Sequence, residues 1–468
     1  MQQNSRGADY YFIGIGGTAM GGTAVALQQM GNRVAGSDAG VYPPMSDYLA
    51  QSNIAFHTGF DAAHLTGNEK CVVVGNAIPR GNAELEEALN RRLPLVSLPQ
   101  VIASEFIADR ESIVVAGTHG KTTTSSLLAA LFLNAGLEPG WLIGGVIPDL
   151  PASVQLGAGR FFICEGDEYD TAFFDKRSKF LQYRPTTAII NAIEFDHADI
   201  FPDFEAVKTT FRRFINLIPG NGSLLVHGED PTAIELSEHA FCPVLTFGLG
   251  VQNDFHGSWL ENGRARIDGP GGWHVTCSPR LIGDHNLCNL IVAAAVAHRH
   301  GIADSVIQTV LEQFQGPRRR LETTRLRRAV LVDDFAHHPT AIRLTLQTLR
   351  QHYPGYQLLA CFEPRSNTLV RNVLQNELTA ALALADVVGI GALHRRELYK
   401  PEERLDLDRL SSELEQRETA TLQSDDNDVL IDFLLSRLEE NAVIAVLSNG
   451  AFGGLLEQLK ERLGPESV

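Results

Sequence analysis

The feature that most constrains the fold is a glycine-rich loop between an apolar strand-like run and a helix-like run. Residues 112–116 read SIVVA, residues 117–122 read GTHGKT, and an apolar helical run covers 123–135. In this order the loop N–H groups and the first turn of the helix converge on one point and bind anions. The sequence therefore predicts a parallel α/β domain with a phosphate site at the end of its first strand.

Two polar residues of this loop, Lys121 and Thr122, have expected roles in binding ATP. Lys121 would reach the β- and γ-phosphates, and the Thr122 hydroxyl would bind Mg²⁺. The pattern departs from the usual one at Val115, where a glycine is common, so the loop is a shorter variant. The alternative is a purely structural turn. The rest of the predicted phosphate-binding set is Gly117, Thr118, His119, Gly120 and Thr123.

A second glycine-rich turn follows the first predicted strand, at residues 10–14. Gly14, Gly16 and Gly17 permit a tight turn and close approach of a pyrophosphate. Asp38 ends the next predicted strand, where dinucleotide-binding folds carry a ribose-binding acid. NAD, a nucleotide-linked sugar and no ligand at all remain open from these residues alone. Because the Lys121 loop already supplies an ATP site, a second pocket favours a nucleotide-linked substrate.

Two acidic segments follow predicted strands in the middle of the chain. The first, residues 164–170, reads CEGDEYD, and the second, residues 191–199, reads NAIEFDHAD. Ligands of open α/β sheets bind at the carboxyl ends of strands, so the Glu165 carboxylate would suit Mg²⁺ and His197 is a candidate second-metal ligand. A solvated acidic loop and a structural histidine are the alternatives. Whether Lys208 is modified as a carbamate stays open.

Composition and charge exclude some classes of partner. The 468 residues carry a net charge of -17, which predicts neither a nucleic-acid nor a membrane partner. The six cysteines form no CxxC pair and are expected to be free thiols in a reducing compartment. The first ten residues, MQQNSRGADY, lack an apolar targeting segment, and no apolar run reaches the ~18–20 residues of a membrane span. A cytoplasmic location is predicted.

The last third of the chain reads as a further α/β segment with polar clusters beside its strands. Strands are predicted at 329–333, 357–362, 386–390 and 442–447, and the α/β pattern of the first segment is expected to fade over 99–108. Asn286 and Asn289, in GDHNLCN at a helix start, could contact a purine or merely cap the helix. Arg320, DDFAHHP at 333–339 and FEPRSNT at 362–368 complete the set.

Taken together, these residues resemble the Mur ligase family of peptidoglycan synthesis. The motifs GIGG, SD, GTHGKTTT, EGDE, DHAD, GDHNLCN, RRRLE and DDFAHHP occur in the family's order over nearly the whole chain. The resemblance implies an α/β fold of three domains: a Rossmann-like UDP-sugar-binding domain at 1–108, a central P-loop ATPase domain at 109–322 and a Rossmann-like C-terminal domain at 323–468. It also implies ATP and Mg²⁺ as cofactors of an ADP-forming amide ligase.

The resemblance further implies a role for each matched position. Lys121, Glu165 and His197 would be catalytic, and Thr122, Glu165 and His197 would hold metal. Asn286 and Asn289 would contact adenosine, while Arg320 and Asp334 would reach the nucleotide. The UDP-sugar set is Gly14, Gly16, Gly17, Thr18, Ser37 and Asp38, and the peptide-binding set is Arg365, Ser366 and Asn367.

Two family members share the N-terminal motif and differ in their amine substrate. One joins L-alanine to UDP-N-acetylmuramate, and the other joins the murein tripeptide L-Ala-γ-D-Glu-meso-diaminopimelate to it. Four stretches (37–46, 169–179, 363–368 and 448–454) favour the tripeptide-joining enzyme. An NAD-dependent oxidoreductase would leave the Lys121 loop unexplained, and a non-catalytic nucleotide sensor would leave Glu165 and His197 unexplained. The oligomeric state stays open.

Overall fold

The computed structural model of the protein describes residues 9–43 and 45–464. The expectation for the first eight residues therefore lies outside the described residues. Contacts divide the chain into two compact units. The first comprises the described residues up to Glu194 together with Phe204–Arg280 and Leu287–Pro317. The second comprises Phe195–Asp203, Leu281–Asn286 and the described residues from Arg318 onwards.

The first unit begins with a five-stranded parallel sheet in the order β3-β2-β1-β4-β5. The two central strands, β1 and β4, are apolar and almost wholly buried, as expected for a parallel sheet covered on both faces. The strands are β1 (Tyr10–Ile13), β2 (Val34–Asp38), β3 (Ala55–Thr58), β4 (Cys71–Val74) and β5 (Leu95–Ser97). The helices are α1 (Thr18–Gln29), α2 (Met45–Gln51), α3 (Ala83–Asn90) and α4 (Leu98–Val101).

The α/β alternation of the first segment, expected to fade over 99–108, gives way there to a continuous helical stretch. Ser97 and Gln100 form a capping box that starts α4, and Pro99 lies in its first turn, where its missing N–H costs nothing. The chain then continues as a π-helical stretch, Ile102–Ile107, which buries Ile102, Phe106 and Ile107. Pro99 therefore lies at a helix start.

The same unit continues into a ten-stranded sheet in the order β17-β16-β15-β14-β13-β12-β6-β9-β7-β8. The strands from β6 to β9 are β6 (Glu111–Ala116), β7 (Gly140–Leu142), β8 (Val154–Gln155) and β9 (Phe161–Glu165). A separate hairpin is formed by β10 (Asp170–Ala172) and β11 (Asp175–Ser178). The remaining strands are β12 (Thr187–Ile190), β13 (Ser223–His227), β14 (Val244–Gly248), β15 (Phe255–Trp259), β16 (Ala265–Asp268) and β17 (His274–Cys277).

Strands β14 to β17 form one end of this sheet. Strand β15 pairs in parallel with β14, and β16 and β17 add antiparallel strands at the edge. Helix α5 is buried all along Thr123–Phe132, in keeping with its continuous run of small and apolar residues. The helices are α5 (Lys121–Asn134), α6 (Phe204–Ile215), α7 (Pro231–Ser237), α8 (Asp284–Arg299) and α9 (Asp304–Gln313).

The second unit contains a six-stranded sheet in the order β18-β19-β23-β20-β21-β22, parallel except for β18. Alternate residues of its strands enter two separate apolar clusters, so both faces are covered. The strands are β18 (Glu322–Arg325), β19 (Val330–Asp334), β20 (Gln357–Phe362), β21 (Val387–Ile390), β22 (Ala420–Gln423) and β23 (Ala442–Leu447). The helices are α10 (Pro339–His352), α11 (Gln375–Leu382), α12 (Leu407–Glu415), α13 (Asn427–Ser436) and α14 (Leu455–Leu463).

Two sequence-level expectations concern the chain as a whole. All six cysteines are free thiols. Across the described ranges, no helix combines the length and the apolar character that a membrane crossing requires.

Candidate functional site

The loop between β6 and α5 has the backbone that its glycines permit. Gly117 has φ +123° and Gly120 has φ +77°, both in the left-handed region that favours glycine. A Cβ on Gly117 would lie 2.9 Å from the Ala192 carbonyl oxygen, and one on Gly120 would lie 2.5 Å from Asn289 Oδ1. The Thr118 N–H donates to the Ala192 carbonyl at 2.6 Å. The loop is thus held against the chain that follows β12, and α5 begins directly after it.

Lys121, the first residue of α5, turns its ammonium back into the loop. Nζ donates to the Gly117 carbonyl at 2.6 Å and lies 2.8 Å from Glu168 Oε2. Burial alone would lower the pKa of Lys121, but the Glu168 carboxylate, with Glu165 and Asp167, outweighs burial and raises it. The lysine therefore stays charged, and its partner Glu168 is a site residue that the sequence reasoning missed.

Thr122 and Glu165 meet beside this lysine. Thr122 Oγ1 donates to Glu165 Oε1 at 2.6 Å, and the Gly144 N–H donates to Glu165 Oε2 at 2.7 Å. Glu165 ends β9, which pairs with β6 so that Glu165 lies opposite Val115. A hydroxyl and a carboxylate at the carboxyl edge of a parallel sheet form the oxygen-rich donor set that Mg²⁺ prefers. Two of the three predicted metal ligands are thus brought together.

The side chains of Asn289 and Asn191 contact the phosphate loop and the start of α5. Thr124 Oγ1 donates to Asn289 Oδ1 at 3.1 Å, and Asn191 Nδ2 donates to the His119 carbonyl at 3.1 Å. His119 Nε2 lies 2.6 Å from Glu194 Oε2. Asn289 therefore contacts the phosphate loop, whereas Asn286 Nδ2 donates to the Ile282 carbonyl near the start of α8.

The predicted UDP-sugar residues gather at the carboxyl edge of the first sheet. The N–H groups of Gly14 and Ile15 donate to the Ser37 carbonyl, at 2.8 and 3.0 Å. The Gly16 N–H donates to Asp38 Oδ2 at 2.9 Å. Gly17 is the N-cap of α1 and Thr18 its first residue, so the start of this helix faces the same edge. The turn and the acid at the end of β2 are therefore joined directly.

Beneath this turn lies a fully buried carboxylate that the sequence reasoning also missed. Glu84, in the first turn of α3, accepts from the hydroxyl of Ser37 and from Tyr11 Oη at 2.9 Å. His64 Nδ1 lies 2.6 Å from Glu84 Oε1. Burying a carboxylate is costly unless donors surround it, and here three side chains and the helix N-terminus do so. Glu84 thus fixes the end of β2.

In the second unit, the segment that carries His197 is bound to the chain after β20. Asp196 Oδ1 accepts from Thr368 Oγ1 at 2.6 Å and from the His197 N–H at 2.7 Å. Burial would raise the pKa of Asp196, but the imidazoles of His197, His337 and His338 and the Thr368 hydroxyl hold it well below its usual range. His197 itself has φ +55°.

Arg320 and Asp334, the other predicted nucleotide-binding residues of this unit, make different kinds of contact. The Arg320 guanidinium lies over the Phe335 ring, 4.9 Å from its centroid. Asp334 Oδ2 accepts from the Leu321 N–H at 2.6 Å, and Oδ1 accepts from the Ala336 N–H at 2.8 Å. Burial raises the pKa of Asp334, and Arg320 counters that effect. The Asp334 carboxylate therefore organises the chain around Arg320.

The three predicted peptide-binding residues also differ. Arg365 Nη1 lies 3.4 Å from both Glu363 Oε1 and His394 Nδ1, and about a third of its side chain is exposed. Ser366 Oγ donates to the His337 carbonyl at 3.2 Å, and Asn367 Nδ2 donates to Asp199 Oδ2 at 2.8 Å. Within this set the Arg365 side chain is partly exposed, while the other two side chains hold neighbouring segments.

Three family models match the chain in succession. The first, described as Mur ligase family, catalytic domain, matches residues 9–110. The Mur ligase middle domain matches residues 115–297, and the Mur ligase, glutamate ligase domain matches residues 319–450.

Relatives match over most of the chain. A Haemophilus influenzae protein named UDP-N-acetylmuramate--L-alanyl-gamma-D-glutamyl-meso-2,6-diaminoheptandioate ligase is 37% identical over 461 residues, 97% of this chain and 98% of its own. An Aquifex aeolicus protein named UDP-N-acetylmuramate--L-alanine ligase is 34% identical over 360 residues, 76% of this chain and 77% of its own. A solved murein peptide ligase from Psychrobacter arcticus covers 99% of this chain and 100% of its own, with a TM-score of 0.71 and 31% identity. The chain belongs to the Mur ligase family, and it is an amide-bond-forming ligase made of three successive α/β Mur ligase domains.

Proposed function

We propose that this protein joins L-Ala-γ-D-Glu-meso-diaminopimelate to UDP-N-acetylmuramate in the cytoplasm, with conversion of ATP to ADP and phosphate. The relative named for this reaction is 37% identical over nearly the full length of both chains. Relatives named for L-alanine addition are 34% identical over about three quarters of this chain, or 30–32% identical over nearly all of it. The observation that carries the ATP-dependent part is the meeting of Lys121, Thr122 and Glu165 at the start of α5.

The donor set of the phosphate loop fits Mg²⁺ and the phosphates of ATP. Thr122 Oγ1 and Glu165 Oε1 offer hard oxygens 2.6 Å apart, and left-handed glycines leave no side chain over the loop N–H groups. Thr122 and Glu165, with His197 as a further proposed ligand, would hold Mg²⁺, which neutralises charge on phosphate oxygens when bound. Gly117–Thr123, Asn286, Asn289, Arg320 and Asp334 are the proposed ATP residues.

The proposed reaction has two steps. The lactyl carboxylate of UDP-N-acetylmuramate attacks the γ-phosphorus and ADP leaves, which gives an acyl phosphate. The peptide amine then attacks the acyl carbon and phosphate leaves. A free carboxylate does not acylate an amine at neutral pH, so the first step supplies the leaving group. The Lys121 ammonium offsets the repulsion between the two anions, and exclusion of water protects the acyl phosphate.

Two further regions would hold the organic substrates. The UDP end of the sugar nucleotide would lie at Gly14, Gly16, Gly17 and Thr18, with the Asp38 carboxylate at the ribose and Ser37 behind it. Arg365 would pair with a carboxylate of the tripeptide, since its side chain is partly exposed and its contacts with Glu363 and His394 are long, at 3.4 Å each. Ser366 and Asn367 shape the same loop.

Mass analysis of the nucleotide-sugar product tests the proposal. The protein would be incubated with Mg²⁺, ATP, UDP-N-acetylmuramate and the tripeptide. We expect a UDP-sugar heavier by one tripeptide less one water, absent when any of the three substrates is omitted. ATP consumption without that product would contradict the proposal.

A further inference from the structure

Two segments of the second unit are joined by side chains from the loop after β20. Thr368 Oγ1 donates to Asp196 Oδ1 at 2.6 Å and accepts from the Ala198 N–H at 3.3 Å. Asn367 Nδ2 donates to Asp199 Oδ2 at 2.8 Å. The loop at 363–368 therefore holds residues 196, 198 and 199, which flank His197 on both sides.

The backbone of His197 is fixed by the same contacts. Its N–H donates to Asp196 Oδ1 at 2.7 Å, and its carbonyl accepts from the N–H groups of Ile200 and Phe201. Its φ of +55° lies in the left-handed region, which a histidine adopts when the surroundings impose it. The Asp196 oxygen that receives the Thr368 hydroxyl is the one that receives this N–H.

Water cannot replace the central bond of this arrangement. Thr368 is 1% exposed and Asp196 is 6% exposed. A buried carboxylate that loses a donor can be satisfied again only by groups of the surrounding chain, so that chain must move. Loss of the Thr368 hydroxyl would therefore be felt at the His197 backbone, and the Ala198 N–H would lose its acceptor as well.

We propose that Thr368 is a positioning residue for His197, so that the loop carrying Arg365 also sets the imidazole for the reaction. The inference rests on the proposed function, in which Arg365 binds a carboxylate of the peptide and His197 is a ligand of Mg²⁺. Thr368 touches neither reactant in this account. It couples the placement of His197 to the loop on which the amine substrate would bind.

Substitution of the hydroxyl separates positioning from packing. Thr368→Val keeps the shape and removes the hydroxyl, whereas Thr368→Ser keeps the hydroxyl. Thr379→Val is the matched control, because Thr379 is a buried threonine of the same unit whose hydroxyl donates to the Gln375 carbonyl and to Glu413, outside the 195–203 segment. The full chain of each variant would be examined by amide hydrogen exchange and by steady-state kinetics.

We expect Thr368→Val to accelerate exchange across 195–203 by more than about tenfold. We also expect it to lower kcat by about tenfold while the KM for UDP-N-acetylmuramate is unchanged. Thr368→Ser and Thr379→Val should stay within about twofold of the parent in both measurements. Unchanged exchange in Thr368→Val, an equal effect of Thr379→Val, or a rise confined to the KM for the tripeptide would overturn the proposal.

A surface variant covers the case in which Thr368→Val does not fold. Asp199→Ala removes the exposed partner of Asn367 and leaves no cavity. Faster exchange of 195–203 in that variant would support the proposal that loop 363–368 holds this segment in place, and unchanged exchange would refute it. Absence of ligation by the parent protein would defeat the proposed function, whereas the exchange measurement would still decide whether loop 363–368 holds this segment.

Discussion

At the scale of single residues, the phosphate loop depends on one lysine that faces two kinds of oxygen. Lys121 Nζ is held by the Gly117 carbonyl and by the Glu168 carboxylate. A phosphate is a stronger anionic partner for an ammonium than a carbonyl is, so the lysine is already oriented toward the place where the proposed reaction needs it. Binding of a phosphate would therefore cost little conformational entropy of the Lys121 side chain.

Replacement of this lysine should stop the chemistry. We expect Lys121→Met to lower kcat by about a thousandfold or more, because removal of a charge aimed at a transferring phosphoryl group has effects of this order. Phosphate release at saturating substrates measures the loss.

A lysine elsewhere in the same unit provides the control. Lys208 on α6 pairs with Glu235 at 3.0 Å and Glu205 at 3.4 Å, a setting that suits an ammonium and would repel a carbamate. Lys208→Met should stay within about threefold of the parent. Turnover of Lys121→Met near that of the control would remove the loop from the mechanism.

We expect His300 to make the stability of the ten-stranded sheet depend on pH. His300 packs edge-on against Phe132 and Phe161, with ring centroids 5.5 and 5.1 Å away. Burial lowers its pKa from 6.5, with Arg160 and Arg299 adding to the effect and Glu111 opposing it. Below pH 6.5 the unfolded chain binds more protons at this site, so the contribution of His300 is present above that pH and is lost as the pH falls.

The variant His300→Phe keeps an aromatic ring and removes the titration. We expect the drop in urea midpoint between about pH 8 and about pH 5.5 to be smaller for His300→Phe than for the parent. Tryptophan fluorescence reports this sheet, because Trp141 and Trp259 lie on its strands and Trp273 adjoins β17. His239→Gln, on the surface, is the control. Identical pH dependence of parent and His300→Phe would contradict the assignment.

At the scale of elements, α5 carries glycine in the left-handed region at both ends, and the two ends do different things. Gly120 (φ +77°) is crowded by Asn289 and Asn191, whereas nothing lies within 4 Å of a Cβ built on Gly136 (φ +70°). The backbone strain of an alanine is therefore similar at the two positions, and only the first also disturbs the phosphate loop.

This pair of glycines gives a matched test. We expect Gly136→Ala to cost about 1 kcal/mol of stability and to leave the KM for ATP unchanged. Gly120→Ala should lose at least the same stability and lower kcat/KM for ATP by about a hundredfold, because its Cβ displaces the amides below the loop. Thermal unfolding and initial rates measure the two effects. Equal kinetics for the two variants would show that crowding at Gly120 does not matter.

Elements with a clear period could be predicted from the sequence, and those set by capping could not. The apolar runs at 71–74, 357–362 and 442–447 are strands at those bounds, since buried parallel strands need continuous apolar residues. The helix start at Leu98 was not predicted, because it depends on the capping of Ser97 and Gln100 rather than on a run of apolar residues. The α-helix between β20 and β21 covers only Gln375–Leu382, and Leu369 and Val370 are buried in the loop that precedes it.

At the scale of the whole molecule, three sheets supply three sets of polar loops. Motif residues could be predicted, because glycine loops and acids after strands report their chemistry in order along the chain. The roles of Glu84, Glu168 and Thr368 could not, since each acts through a partner far away in sequence: Ser37, Lys121 and Asp196. Spacing along the chain carries no signal for such pairs.

The choice of amine substrate is the central claim, and one measurement addresses it directly. Phosphate release from ATP would be followed with Mg²⁺ and UDP-N-acetylmuramate present, with either L-alanine or L-Ala-γ-D-Glu-meso-diaminopimelate as the amine. We expect turnover with the tripeptide and little with L-alanine. The reverse preference would make this protein an alanine-adding ligase and would contradict the role proposed for Arg365 and its loop.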